Sequence, residues 1–178
     1  MEKMTYTNFE IKARTSEKQQ GEIRKILKEK NAKFIGTDNQ KDIYFKNSSG
    51  RLKLRKGGIE NYLIYYEREN KKEIKKSKVI LFNNQGRIDE LEKRTKKTYE
   101  ILAQVDKIRE IYFIGNVKFH IDKVKNLGNF VEIEAISRGN LISEEKLREQ
   151  CNYYKNLLKI PDNDLIKYSY SDMLLRKN

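Results

Sequence analysis

Basic side chains that alternate with apolar ones are the residues of this sequence best suited to chemistry. They fall in two segments, Arg51, Lys53 and Arg55 in the first and Lys107 and Arg109 in the second. Successive residues of a strand point to opposite faces, so each segment presents its cations on one face. Guanidinium forks and ammonium groups suit the acceptor oxygens of a polyphosphate. These rows therefore predict a site for an anion that carries several phosphates.

Acidic side chains alternate in the same way in other segments. Glu132 and Glu134 share one face of a predicted strand, and Glu10 shares a face with Lys12 near the start of the chain. Carboxylates beside a phosphate site usually hold a divalent cation, and Mg²⁺ binds through one or two carboxylates plus phosphate oxygens. We expect Glu132 and Glu134 to form such a site, with Glu10 reaching it from across the fold.

Short strands dominate the elements that must position these residues. Alternation of apolar and polar residues predicts strands over 8–14, 33–36, 40–46, 51–55, 61–69, 79–82, 105–114, 117–124 and 130–136. Apolar stripes predict helices over 16–31, 87–104, 143–158 and 164–175. Ser16 and Ser143 are the expected N-caps of two of them. The highly charged segment 70–78 is expected to be a solvated loop.

Most of the predicted connections are short, which favours an antiparallel sheet closed on itself over parallel βαβ units. A sandwich of two sheets is the alternative. A single charged strand face is best explained by contact with solvent. Several such faces, together with helices able to cover the apolar faces, favour a polar interior. Buried cations are costly unless paired, so that interior requires carboxylates or a polyanion.

The composition is consistent with one domain spanning residues 1–178, because a chain of 178 residues can bury a sizeable core. Lys and Arg number 39 against 26 Asp and Glu, a net charge of +13. The only cysteine, Cys151, is expected to be a core residue on the apolar face of a helix. A single cysteine permits no disulfide within the chain. The sequence has no signal-peptide pattern and no apolar run approaching the roughly 18 residues of a membrane helix. We expect a cytoplasmic protein without a membrane segment.

Several of these segments resemble the CYTH superfamily, the triphosphate tunnel metalloenzymes, and most closely its class IV adenylyl cyclase branch. The matching segments are Glu10-Ile11-Lys12, Arg51–Arg55, Lys107–Arg109, His120–Asp122, Leu127–Glu134 and Tyr170–Leu175. Of these, Leu127–Glu134 is the most specific, since it matches the family run L-G-x-F-x-E-I-E. Lys76 falls where relatives carry a basic residue after the tyrosine-rich strand.

The resemblance implies an α+β fold built on a closed eight-stranded antiparallel β-barrel with flanking helices. It implies that the triphosphate contacts Lys12, Arg51, Lys53, Arg55, Lys76, Lys107 and Arg109. It implies Mg²⁺ or Mn²⁺ on Glu10, Glu132 and Glu134, with Lys12 and Asp122 as catalytic groups. The chain departs from the family at Asn8, which stands where the E-x-E-x-K motif has its first Glu. A neutral amide is a weaker ligand, so a second metal is in question.

The implied activity is that of an adenylyl cyclase, which converts ATP to cyclic AMP and pyrophosphate. Two alternatives stay open: hydrolysis of inorganic, thiamine or nucleoside triphosphate, and a nucleotide- or polyphosphate-binding module without turnover. Nucleic-acid binding is disfavoured, because the basic residues alternate with apolar ones instead of clustering on one helix. Dimerisation is common in the cyclase branch, so a homodimer is compatible with the resemblance.

Aromatic and histidine side chains admit both a structural and a functional interpretation. Tyr62, Tyr65 and Tyr66 lie in one predicted strand and offer rings on which adenine could stack, although ordinary strand aromatics are favoured for at least two of them. His120 is favoured as a hydrogen-bonded side chain in the wall over a general base.

Overall fold

Eight antiparallel strands form the sheet of this computed structural model, which describes residues 2–83 and 86–177. The strands are β1 (Glu2–Thr15), β2 (Lys33–Phe45), β3 (Arg51–Lys56), β4 (Tyr62–Arg68), β5 (Lys75–Asn83), β6 (Ile101–Ile114), β7 (Val117–Val124) and β8 (Gly128–Arg138). They close into a barrel in the order β1–β5–β4–β3–β2–β6–β7–β8, with β8 pairing back onto β1. The expected closed antiparallel barrel is confirmed.

Three helices, α1 (Glu17–Glu29), α2 (Ile88–Thr98) and α3 (Glu144–Leu157), cover apolar residues on the outer face of the barrel, so its polar faces turn inward. The fourth, α4 (Tyr170–Leu175), begins inside the barrel, where Tyr170 packs with Tyr44 and Phe130. Ser16 begins α1 with a capping box in which Ser16 and Gln19 exchange side-chain-to-backbone hydrogen bonds, as the sequence predicts. Ile23 of α1 and Cys151 of α3 pack in the largest apolar cluster with β1, β7 and β8. No helix among the described residues is long and apolar enough to cross a membrane.

Two predicted boundaries are wrong because strand pairing overrides the local pattern. The helix expected over 87–104 ends at Thr98, since β6 begins at Ile101, which pairs with Phe45. The two strands expected at 33–36 and 40–46 are one strand, β2, whose register with β6 shifts between Phe34 and Gly36. Long-range ladders of this kind cannot be read from a single window of sequence.

The expected loop over 70–78 is wrong in its second half, because β5 begins at Lys75 and pairs with both β1 and β4. The helix expected over 164–175 is wrong in its first half. A 3₁₀ turn occupies Asp162–Asp164, and Ile166 then donates its backbone N–H to the carbonyl of Lys12 at 2.8 Å. Only after Ser169, which forms a second capping box, does α4 begin. The chain is therefore held against β1 before this helix starts.

Candidate functional site

The barrel interior is a cavity of about 100 Å³. All eight strands and the start of α4 contribute to its wall. Seven cations line it: Lys12, Lys53, Arg55, Arg68, Lys107, Arg109 and Lys118. Five carboxylates line it: Glu10, Asp42, Glu60, Glu132 and Glu134. When all are ionised, the wall carries two more positive than negative charges, which suits an anionic ligand.

Asp42 is the anion around which one group of cations is arranged. Arg55 donates from Nε and Nη2 to its two oxygens, each at 2.8 Å, and Lys107 and Lys53 lie at 2.8 and 3.1 Å from Oδ2. Burial alone would raise the pKa of Asp42, but these three cations hold it well below its usual range. The carboxylate therefore stays ionised and fixes the direction of all three cations.

Glu132 is the corresponding anion on the other side of the cavity. Its two oxygens accept from Lys12 Nζ and from Arg109 Nη2, each at 3.0 Å. Arg109 also donates from Nε to Asp122 at 2.7 Å, and the Tyr170 hydroxyl donates to Asp122 at 2.6 Å. Asp122 is fully buried, and its side chain orients Arg109.

Three side chains approach one another closely enough to hold a metal ion. They are His120, Glu132 and Glu134, whose donor atoms all lie within 4.8 Å of one another. Glu10 lies directly opposite Glu134 on the neighbouring strand, so the expectation that it reaches the site from across the fold is wrong. Its carboxylate accepts from Arg68 Nη1 at 2.6 Å.

This cluster has the character of a cation site. Burial raises the pKa of Glu134 to about 7, and Glu132 and Glu10 add to the rise while Lys118 opposes it. His120 is neutral, because burial lowers its pKa to about 3, and its buried Nε2 has no hydrogen-bond partner among the described residues. A divalent cation would neutralise the crowded carboxylates, and oxygen and imidazole donors suit such ions. The residues present therefore fit the metal that the family implies.

Strands β4 and β5 supply interior cations that sequence reasoning missed. Lys75 is fully buried, and its Nζ has no hydrogen-bond partner among the described residues. Arg68 Nε and Nη2 and the Ser77 hydroxyl are equally buried and unpartnered. Burial lowers the pKa of Lys75 to about 8 against the opposing charge of Glu10. The alternation of Lys75, Ser77 and Val79 predicts that their side chains share one face of a strand. That prediction is possible only if residues 75–78 are assigned to a strand.

Two predicted triphosphate ligands do not line the cavity. Lys76 lies on the outer face of β5, opposite in phase to Lys75, and forms an ion pair with Glu144 of α3. Arg51 does not line the cavity; its Nη2 donates to Asp172 of α4 at 3.0 Å. Of the other predicted side chains, Lys12, Lys53, Arg55, Lys107 and Arg109 line the cavity.

Glu60 is a further interior carboxylate that the sequence did not reveal. It accepts from Arg55 Nη1 at 2.8 Å and forms an ion pair with Lys118. The loop that carries it folds over the Asp38 carboxylate, which accepts the backbone N–H groups of Gly58, Ile59 and Glu60. Glu60 thus lies in the cavity because the buried Asp38 carboxylate accepts hydrogen bonds from the backbone N–H groups of the loop that carries it.

Asn8 lies inside the cavity at the position of the first motif glutamate. It is buried opposite Ser77, and its Nδ2 donates to Glu10 over 3.4 Å. Its Oδ1 has no partner among the described residues. The amide therefore offers one free neutral oxygen where the family motif has a charged carboxylate.

The chain is similar to known proteins over most of its length. The family model of the CYTH domain matches residues 7–170. A protein of Methanocaldococcus jannaschii named "putative adenylate cyclase" is 26% identical over 175 residues, covering 92% of this chain and 96% of the relative.

Two solved structures share the fold. A conserved hypothetical protein from Pyrococcus furiosus is 22% identical with a TM-score of 0.75, covering 93% of this chain and 98% of the other. A structure from Vibrio parahaemolyticus named a "putative adenylate cyclase" is 16% identical with a TM-score of 0.72, covering 94% and 97%.

Proposed function

The chain belongs to the CYTH domain family, and from that premise we propose that it binds a triphosphate inside the barrel and converts ATP to cyclic AMP and pyrophosphate in a metal-dependent reaction. The observation that carries the proposal is the set of buried cations with unused donors. Arg68, which lines the cavity, has two buried nitrogens without acceptors among the described residues, and so does Lys75 Nζ, which lies on the same face of β5 as the cavity-lining Ser77. Leaving such groups unpaired is costly, and phosphate oxygens are the acceptors that satisfy them.

The cations have distinct roles in this proposal. Lys12 and Arg109 are held by Glu132, and Lys53, Arg55 and Lys107 are held by Asp42, so each set points into the cavity before ligand binds. Preorganised positive charge stabilises the charge that develops during phosphoryl transfer. Lys12 is the proposed catalytic contact to the reacting phosphate. Asp122 is a positioning residue that fixes Arg109.

Glu10, Glu132 and Glu134, with His120 beside them, are the residues that would hold Mg²⁺ or Mn²⁺. A bound divalent cation supplies Lewis-acid neutralisation of phosphate oxygens. In cyclisation, the ribose 3′ oxygen would bond to the α-phosphorus while the bond from that phosphorus to the pyrophosphate oxygen breaks, and the hydroxyl proton would pass to water. The name of the Methanocaldococcus jannaschii relative supports this reaction over hydrolysis.

A product assay tests the proposal directly. The protein is incubated with Mg²⁺ or Mn²⁺ and either ATP, thiamine triphosphate or tripolyphosphate, and the products are separated by anion-exchange chromatography. We expect cyclic AMP and pyrophosphate in equal amounts from ATP, and loss of both in Lys12→Ala. Phosphate release without cyclic AMP would instead identify a triphosphatase.

Asn8 favours a second candidate, a binding module without turnover. One fewer carboxylate lies in the metal-binding region than in the family motif, so the cavity can keep its affinity for anions while losing catalysis. Metal-dependent binding of ATP with no product from any of the three triphosphates would establish this second function.

A further inference from the structure

A carboxylate of the protein itself pairs with the cations at one end of the cavity. Glu60 accepts from Arg55 Nη1 at 2.8 Å and from Gln40 Nε2 at 3.0 Å, and it forms an ion pair with Lys118. Burial alone would raise the pKa of Glu60, but Lys118 and Arg55 hold it well below its usual range. The Glu60 carboxylate therefore stays ionised between these two cations.

The backbone that carries Glu60 is held in place as well as its side chain. Buried Asp38 accepts the backbone N–H groups of Gly58 and Ile59 at Oδ1, over 2.6 and 3.2 Å. Its Oδ2 accepts the backbone N–H of Glu60 over 3.1 Å and Nε2 of Gln40 over 2.9 Å. Three consecutive backbone donors of the loop thus share one buried acceptor, which fixes the position of Glu60.

The close approach of this loop to Asp38 depends on the glycine at position 57. A β-carbon at Gly57 would overlap the Asp38 carboxylate, and only glycine lets a backbone come this near. The side chain of Asn61 accepts the backbone N–H of Gly57 at 3.1 Å and closes the turn from its other side. A larger residue at position 57 would push the loop, and Glu60 with it, away from Asp38.

Unpaired donors of the cavity lie at the opposite end of β4. This strand runs from Tyr62, two residues after Glu60, to Arg68, and it is about 20 Å long. Arg68 Nε and Nη2 have no partner among the described residues. By contrast, all three guanidinium nitrogens of Arg55 donate to Asp42 or Glu60. The end of the cavity at Arg68 can therefore accept an anion, whereas the end at Glu60 already holds one.

We infer that Glu60 is a specificity-determining residue, which disfavours phosphate chains longer than a triphosphate. This rests on the proposed function, which places a triphosphate in the barrel. A longer chain carries more negative charge, so cations alone would bind it more tightly. A chain that extends from the Arg68 end toward Glu60 instead meets an ionised carboxylate whose cations are already paired. Like charges brought together in this way act against the longer ligand.

Binding of two inorganic polyphosphates tests the role of Glu60. Affinities for tripolyphosphate and tetrapolyphosphate are measured by calorimetry with Ca²⁺ in place of the catalytic metal, for the wild type and for Glu60→Gln. We expect the wild type to bind tetrapolyphosphate no more tightly than tripolyphosphate. Glu60→Gln keeps the size of the side chain but removes its charge. It should strengthen tetrapolyphosphate binding about tenfold or more, and tripolyphosphate binding less than about threefold.

Glu67→Gln is the matched control, because it neutralises an exposed carboxylate on the outer face of β4. It should leave both affinities unchanged, and thermal unfolding of each variant checks that it folds. An equal effect of Glu60→Gln on the two ligands, or no effect on either, would overturn the inference. So would tighter binding of tetrapolyphosphate than of tripolyphosphate by the wild type, a comparison that needs no variant. Failure of both ligands to bind the wild type would refute the proposed triphosphate site, and the inference with it.

Discussion

The guanidinium of Arg55 donates two parallel hydrogen bonds of 2.8 Å each to the carboxylate of Asp42, and both groups are buried in the barrel interior. Such bidentate pairs are geometrically specific as well as strong. Here the pair also anchors Lys53 and Lys107, so four charges share one centre. The Asp42 carboxylate therefore holds these interior cations in fixed positions, from which they can bind an anion.

Removal of Asp42 should destabilise the free protein. Asp42→Asn removes the anion that three buried cations share, although Arg55 keeps Glu60, and the loss costs about 3 kcal/mol of unfolding free energy. Urea unfolding measures the loss. Added tripolyphosphate should recover part of it, because a bound anion replaces the missing charge. Asp106→Asn, on the outer face of β6, is the control. An equal effect of the two substitutions would contradict a special role for Asp42.

Lys75 and its neighbour Lys76 should differ sharply in their importance for binding. Lys75→Met removes an unpartnered interior cation and should weaken triphosphate binding about tenfold or more, since charge-assisted contacts to phosphate are strong. Lys76→Met removes only an outward ion pair with Glu144 and should have little effect. Calorimetric titration with tripolyphosphate measures both affinities. Similar losses in the two variants would show that β5 does not present Lys75 to the ligand.

Lys107 should make binding depend on pH. Burial lowers the pKa of Lys107 to about 7 although Asp42 opposes the shift, and a bound phosphate would raise the pKa again. Because tripolyphosphate binds better when Lys107 is protonated, the contribution of Lys107 to its affinity should be constant below pH 7. It should fall above pH 7, by up to about tenfold for each pH unit. The measurement is the affinity for tripolyphosphate between pH 6 and 9.

Lys107→Arg provides the comparison, because arginine stays charged over this range. The titration of the ligand itself is common to both proteins, so their difference isolates Lys107. A residual decline near pH 8 is expected from Lys75, whose pKa burial lowers to about 8. Identical pH profiles for the two proteins would exclude Lys107 as a titrating contact.

Asn8→Glu should strengthen metal binding. The substitution restores the family motif and places a further carboxylate next to Glu10 and Glu134. We expect Mn²⁺ affinity to rise about tenfold, or a second ion to bind, as measured by calorimetry and by the paramagnetic signal of free Mn²⁺. Without metal, the added charge should lower the unfolding temperature. Asn8→Gln lengthens the side chain without adding charge, so an equal gain in that variant would contradict the explanation.

Alternation in the sequence was enough to predict which face of most strands is charged. Residues 51–55 and 107–109 present their cations on one face each, because the period of two in a strand leaves no freedom once the strand is assigned. Arg51 lies at the end of its face and pairs with Asp172 of α4. The same logic failed for 75–78, where Lys75 and Lys76 differ by one position. A shift of one residue reverses every side chain, and only pairing with β1 and β4 fixes that phase.

The sequence by itself therefore determined the chemistry of the interior: its basic rows, its paired glutamates and the Asn8 substitution are all local features. Only the tertiary structure decided which charges meet. Asp42, Glu60 and Arg68 belong to segments that carry no recognisable motif. Barrel closure nevertheless brings Asp42 and Glu60 against the predicted cation Arg55, and Arg68 against the predicted carboxylate Glu10. Such contacts join residues far apart in the chain, so they are set by the register of the closed sheet and not by any local pattern.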